Sequence, residues 1–421
     1  MMKKKLNILA LAIMAMSAMT ITSCSEDDLG ASIYDTKEYP LDRSVYTFPL
    51  DTFVKRNFLE PYNLRYIYKM EDVGTDMQKN LVPATYENSV NLAVLTKYLW
   101  LDVYEKLAEK NFLKKYSPRI IHVIGSPGYN SDGSRTVGVA EGGLKVTLME
   151  VNRLDVNQIE GERGLNELFF HTMHHEFAHI LDQTFLRPTS FNTISGTLYD
   201  AVGWAEKNDS IQAALGFVTP YGSSQAGEDW VETLACYVTY DEDRWNTLLN
   251  SAQYDWEEVD FTEEDYESRY PLAYLDYLSG YTRHLCNYDT IGYLRQTANY
   301  EYKVDRKIVT RNGDDTVMTD ADGNYNVSTT ADNIDGRAII LQKLDLVEEW
   351  LKHWNIDLKA LRREVQTRQY VTDAEGKFIR NERGGFVNRL TYKVGDEKSI
   401  MEQLLEEIDA YKKLQTAKNA Q

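Results

Sequence analysis

The stretch FFHTMHHEFAHILDQ, residues 169–183, constrains this chain more than any other. Phe169, Phe170, Met173, Phe177, Ile180 and Leu181 recur at helical spacing, so the segment reads as a buried helix from about Leu165 to Gln183. On a helix, residues four apart share a face, and His175 and His179 can present two imidazoles to one point. Buried imidazoles need partners, and a metal ion supplies one. Glu176, directly after the first histidine, is placed to take a proton from a metal-activated water; the pattern His-Glu-x-x-His carries that mechanism with it. Catalytic Zn²⁺ takes three protein ligands and keeps one position for water. The fold must therefore bring a third ligand to this helix.

The segment YGSSQAGEDWVETLACYV, residues 221–238, offers that ligand on a second helix. Glu228 follows His179 by 49 residues, and Glu232 lies one helical turn further on the same face. The spacing suits one carboxylate on the metal and a second that hydrogen-bonds the back of a ligand histidine and fixes its tautomer. Tyr221, in the preceding loop, can donate its phenol to a developing oxyanion. Asp182, three residues past His179, is a further candidate for supporting a ligand histidine. His171 and His174 read as structural, and His122, His284 and His353 receive no role. DADGNY, from Asp320, opens like a calcium loop but lacks its closing glutamate, so a turn explains it better.

His175-Glu176-x-x-His179 with a later Glu-x-x-x-Glu resembles the gluzincin group of metallopeptidases. Tyr221-Gly222, then Glu228-x-x-x-Glu232, is similar to the catalytic domain of anthrax lethal factor. That resemblance implies one zinc on His175, His179 and Glu228, Tyr221 as transition-state stabiliser and Glu232 behind a ligand. Read from Glu232, ETLACY instead resembles the Glu-x-x-Ala-x-Tyr stretch of aminopeptidase-like gluzincins, which would make Glu232 the ligand.

The N-terminus, MMKKKLNILALAIMAMSAMTITSC, has a basic start, an apolar stretch and small residues before Cys24, the layout of a signal peptide ending in a lipobox. Cys24 would become the lipidated first residue, followed by an acidic tether beginning SEDDLG. SEDDLG resembles the acidic signal that sends Bacteroidetes lipoproteins to the cell surface. With HHEFAHILDQ and EDWVETLA, this N-terminus resembles the zinc-metallopeptidase lipoproteins of Bacteroidetes, encoded beside SusC/SusD-type nutrient importers. The resemblance implies an outer-membrane lipoprotein exposed at the cell surface, with the lipid as its membrane anchor. A net charge of −19 speaks against nucleic acid as a partner. Cys236 and Cys286 remain in the mature chain, as a disulfide or as free thiols.

The rest of the chain reads as α+β, a zincin-like domain with a mixed sheet. Residues 63–70 and 119–125 read as strands, 89–116 as one long amphipathic helix, and LKVTLMEV (144–151) as an edge strand able to pair with an extended substrate. From the second metal-site helix to about residue 300 the chain reads as mainly helical. Residues 307–327 and 370–390 each read as a β-hairpin, separated by helix broken near Asn355, and 397–413 as a final helix. This divides the chain into a leader (1–23), tether (24–50), catalytic domain (51–300) and C-terminal helical region (301–421).

The leading expectation is a surface-anchored zinc metallopeptidase acting on protein or peptide substrates, with Glu176 as general base. Two alternatives stand beside it: an accessory binding lipoprotein of a SusC/SusD-type importer, and a zinc hydrolase of a non-protein amide.

Overall fold

The computed structural model describes residues 41–70, 80–129, 135–136, 138–141, 144–161, 163–260, 284–286, 291–296, 301–314, 316, 318–321, 326–329 and 333–417. Cys24 and its surroundings lie outside them, as does the end of the DADGNY stretch. The described residues from Pro49 onward belong to one compact unit, which is described below.

Strand β1 (Arg65–Ile67) is followed by helix α1 (Tyr86–Thr96), which continues through a π-helical turn (Lys97–Leu101) into α2 (Asp102–Leu107). Thr85 caps α1, its hydroxyl accepting from the Asn88 amide at 3.3 Å. The long helix expected over 89–116 breaks after Leu107, where Ala108 turns extended and Asn111 adopts a left-handed φ of 67°, before α3 (Phe112–Tyr116) resumes. Apolar periodicity persists across the break, which is why it was invisible in the pattern.

Strands β2 (Ile120–Val123), β3 (Gly128–Tyr129), β4 (Arg135–Thr136), β5 (Gly138–Glu141) and β6 (Lys145–Leu148) follow. β3 and β4 form a small antiparallel pair. The main sheet has order β1-β2-β6-β5, with β1, β2 and β6 parallel and β5 antiparallel to β6. The mixed sheet and surrounding helices make an α+β fold. β6 was expected at an edge, but it pairs on both sides; β5 folds back along it and takes the edge instead.

Helix α4 (His171–Thr184) follows a π-helical turn over Asn166–Phe170. Its apolar back is buried in an aromatic cluster: Phe177 meets Trp100, Tyr104 and Phe112 at centroid distances of 5.1, 4.9 and 5.7 Å, all edge-on. Each such pair adds about 0.5–1.5 kcal/mol beyond burial. After α5 (Asp209–Ala214) comes α6 (Ala226–Thr239), whose Trp230 packs between Phe191 and Trp350. α4 and α6 are thus each held from behind, with their polar faces toward one another.

Beyond α7 (Glu242–Ser251), the described parts of the stretch expected to be mainly helical form strands β7 (Trp256–Asp260), β8 (His284–Cys286) and β9 (Ile291–Gln296), and β10 (Tyr302–Lys307) follows; the rest of that stretch, residues 261–283 above all, lies outside the described residues. The strands form an antiparallel sheet of order β7-β10-β9-β8. From Glu257 to Asp260 the residues alternate between half-buried and exposed, a period of two that the acidic residues disguise. Helices α8 (Gly336–Leu351), α9 (Leu358–Gln369) and α10 (Ile400–Ala417) complete the unit, with Asn355 in a left-handed conformation between α8 and α9. Gln366 on α9 donates to the Tyr240 carbonyl at the end of α6, so residues on either side of 300 share one compact unit.

The two expected hairpins are more elaborate. In each, three backbone segments pair in succession, and their ladders match at an offset of 61 residues (371 against 310). Thr310 donates to Asn326, Met318 to Thr310, Asn326 to Met318 and Ser328 to Ile308 through backbone amides; Val371 to Val387, Ile379 to Val371, Val387 to Ile379 and Arg389 to Gln369 repeat the set.

Candidate metal centre

α4 and α6 meet along a seam of polar side chains spaced one helical turn apart. From α4 come His179, His175 and His171; opposite them on α6 stand Glu228, Glu232 and Cys236. At one end, Glu228 Oε2 lies 3.2 Å from His175 Nε2 and 3.2 Å from His179 Nε2. These three residues offer ligand atoms within 4.8 Å of one another, a set of two imidazoles and one carboxylate suited to Zn²⁺. Gln225 donates to the other Glu228 oxygen at 3.3 Å.

Glu232 stands behind His175. Its Oε1 is 2.6 Å from His175 Nδ1, and its Oε2 accepts from the Thr219 hydroxyl at 2.6 Å. The contact orients the ring and leaves Nε2 toward Glu228. Of the two glutamates, Glu228 therefore sits where both ring nitrogens converge and Glu232 on the far side of one ring. Burial raises both carboxyl pKa values, but the histidines outweigh it and hold both groups below the ordinary range. Conversely, burial lowers His175 while Glu228 and Glu232 more than compensate, pushing it up to about 10. A cation entering the site competes with protons for these nitrogens.

Glu176 is buried next to this cluster. Among the described residues no donor is shown hydrogen-bonded to its carboxylate, and burial raises its pKa against the opposing pull of His175 and His179. The carboxylate is thus free to exchange a proton. Tyr221 begins a short 3₁₀ turn, its ring at 5.9 Å and 28° to that of His175, and Trp204 packs edge-on against it at 4.9 Å. Burial and the nearby Glu228 raise the phenol's pKa, keeping it a donor.

Asp182 is placed otherwise than expected. Its oxygens are taken up by the Arg187 backbone amide, at 2.7 Å, and the Arg187 guanidinium. Projecting near the end of α4, it stabilises the chain leaving the helix and does not contact a ligand histidine. Cys236 is a buried free thiol. His174 is buried, its Nδ1 2.9 Å from the Tyr104 hydroxyl, and burial lowers it to about 3.

With this geometry in view, comparison with known proteins is specific. A family profile described as "Putative zinc-binding metallo-peptidase" matches residues 44–359. The chain belongs to this family. A crystal structure at 2.10 Å of a protein from Bacteroides caccae, bearing the same description, is similar over 76% of this chain and 91% of that one, at 30% identity and a TM-score of 0.50. No curated protein matches. The family's zinc and the donor set on α4 and α6 agree.

Two participants were not picked out from the sequence. Thr219, which anchors Glu232, has no spacing signal. Lys343 reaches from α8 to pair with Asp229 at 2.6 Å, both side chains 0% exposed, and nothing in the pattern of α8 marks it. His171 and Cys236 did carry a signal, since each lies one turn beyond the residues already singled out on its helix.

Proposed function

We propose that this protein is a zinc-dependent peptidase with Glu176 as general base. The observation that carries the reading is the convergence of His175 Nε2 and His179 Nε2 on Glu228 Oε2, with the buried, unengaged Glu176 carboxylate alongside. A zinc ion held by His175, His179 and Glu228 supplies a Lewis acid that polarises a carbonyl and acidifies water. Glu176 takes the proton from the attacking water and delivers it to the leaving amine. Tyr221 donates its phenolic hydrogen to the oxygen that gains charge, and Glu232 keeps the His175 ring in register. The outer edge of β5 offers an extended peptide a strand to pair with.

The same reading places the enzyme at the cell surface of its bacterium, tethered by lipid on Cys24 and working beside a SusC/SusD-type importer. Support for this comes from the leader and the acidic run after it. Among the described residues no helix is long and apolar enough to cross a membrane. The test is cleavage of a mixed peptide library before and after chelation. Activity lost to a chelator and restored by Zn²⁺ supports the reading, and a zinc-loaded protein that leaves every peptide intact overturns it.

A further inference from the structure

The seam between α4 and α6 does not end at Glu228. We propose that His171, Glu232 and Cys236 form a second metal site, one helical turn along from the first and suited to Zn²⁺. Because α4 and α6 run antiparallel in this region, moving one turn toward the start of α4 and one toward the end of α6 yields another set of three facing ligands. The first set is two histidines and a carboxylate; the second is a histidine, a carboxylate and a thiol, whose ligand atoms also converge within 4.8 Å.

The separations fit an ion. With Zn–N and Zn–O bonds of about 2.1 Å and Zn–S of about 2.3 Å, tetrahedral ligand atoms lie about 3.4 Å apart for an N/O pair and about 3.6 Å apart when one is sulfur. His171 Nε2 is 3.2 Å from Glu232 Oε1 and Cys236 Sγ is 3.6 Å from His171 Nε2, close to these values, while Sγ lies 4.0 Å from the other Glu232 oxygen, Oε2, a little wider than the bound distance. A thiolate in the set favours Zn²⁺ over Mg²⁺ or Ca²⁺. Cys236 is fully buried, but the His171 side chain is 21% exposed, which gives the ion a way in and a fourth position for water. Binding expels the Cys236 thiol proton, which burial otherwise holds on sulfur.

Glu232 links the two sites. Its Oε1 faces both His171 Nε2 and His175 Nδ1. An ion at the second site therefore draws on the same carboxylate that orients a ligand of the first.

The test is metal content and cobalt spectroscopy of the full chain. Dialysed against zinc, the native protein should hold two ions, Cys236→Ser and His171→Ala one each, and His179→Ala should lose the other. The Co²⁺-loaded native protein should show a near-ultraviolet thiolate-to-cobalt band that Cys236→Ser lacks and Glu176→Gln keeps. One zinc in the native protein, unchanged in Cys236→Ser and without a thiolate band, overturns the second site and leaves the first intact. No zinc at all refutes both. The cobalt spectrum of the native protein decides the matter even if a variant misfolds.

Discussion

Replacing Lys343 by Met tests whether the helix bearing Glu228 is held by a buried ion pair. Lys343 Nζ lies 2.6 Å from Asp229 Oδ2 and donates to the Gly216 carbonyl at 2.7 Å, while the Tyr199 hydroxyl donates to the same Asp229 oxygen at 2.8 Å. Burial pushes Asp229 up and Lys343 down, each toward its neutral form, and the pair opposes both shifts. Removing one partner of such a pair strands the other charge, at a cost of about 3–5 kcal/mol. Methionine keeps the volume of the stem, so little of that cost is cavity. Trp230, next to Asp229 and packed on Trp350 of α8, makes tryptophan fluorescence during urea unfolding a local reporter. The destabilisation should shrink at acid pH, because a stranded carboxyl with a raised pKa is progressively protonated there and its charge no longer has to be buried. Lys343→Met/Asp229→Asn should recover more than half the loss. A single variant costing under about 1 kcal/mol, or a double variant as unstable as the two singles summed, refutes the reasoning.

Further outcomes follow from the same geometry. Glu232→Gln should weaken zinc binding at the His175, His179 and Glu228 site about 10–100-fold, read by competition with a chromophoric chelator in a Cys236→Ser background, because the far nitrogen of His175 loses its anionic acceptor. Tyr221→Phe should lower kcat about 10²–10³-fold with KM little changed in steady-state peptide cleavage, the signature of a donor used only as charge develops. Glu160 should make stability pH-dependent: burial raises its carboxyl from 4.5 to about 7, opposed by hydrogen bonds from Tyr370 and Asn166. The folded state holds this proton more tightly than the unfolded one, so this group's contribution to stability is fully present below pH 4.5 and falls by about 3 kcal/mol as pH rises to 7. Denaturation of Glu160→Gln across that range should lack this component.

Much of the metal centre was legible because helical periodicity is a strong, local rule. Four-residue spacing put His175 with His179 and Glu228 with Glu232, and only the meeting of the two helices had to be supplied by the fold. The choice between Glu228 and Glu232 depended on the register of α4 against α6, which no local pattern carries. Asp182 shows the opposite failure: it sits at a favourable offset from His179, yet Arg187 five residues on captures it. Strands were harder. β7 is short and rich in acids, so its alternation was read as part of a helical region, and β6 looked like an edge because nothing in its own residues reveals that β5 folds back beside it. The break at Asn111 was hidden by apolar residues that continue on either side.

The central claim is that Glu176 moves protons at a zinc site it does not help to build. Its most direct test is the Glu176→Gln variant, with zinc content and peptide cleavage measured on the same preparations. The account predicts the native zinc content in both proteins and cleavage about 10²–10⁴-fold slower in the variant. A variant that cleaves at the native rate, or that loses its zinc, contradicts it.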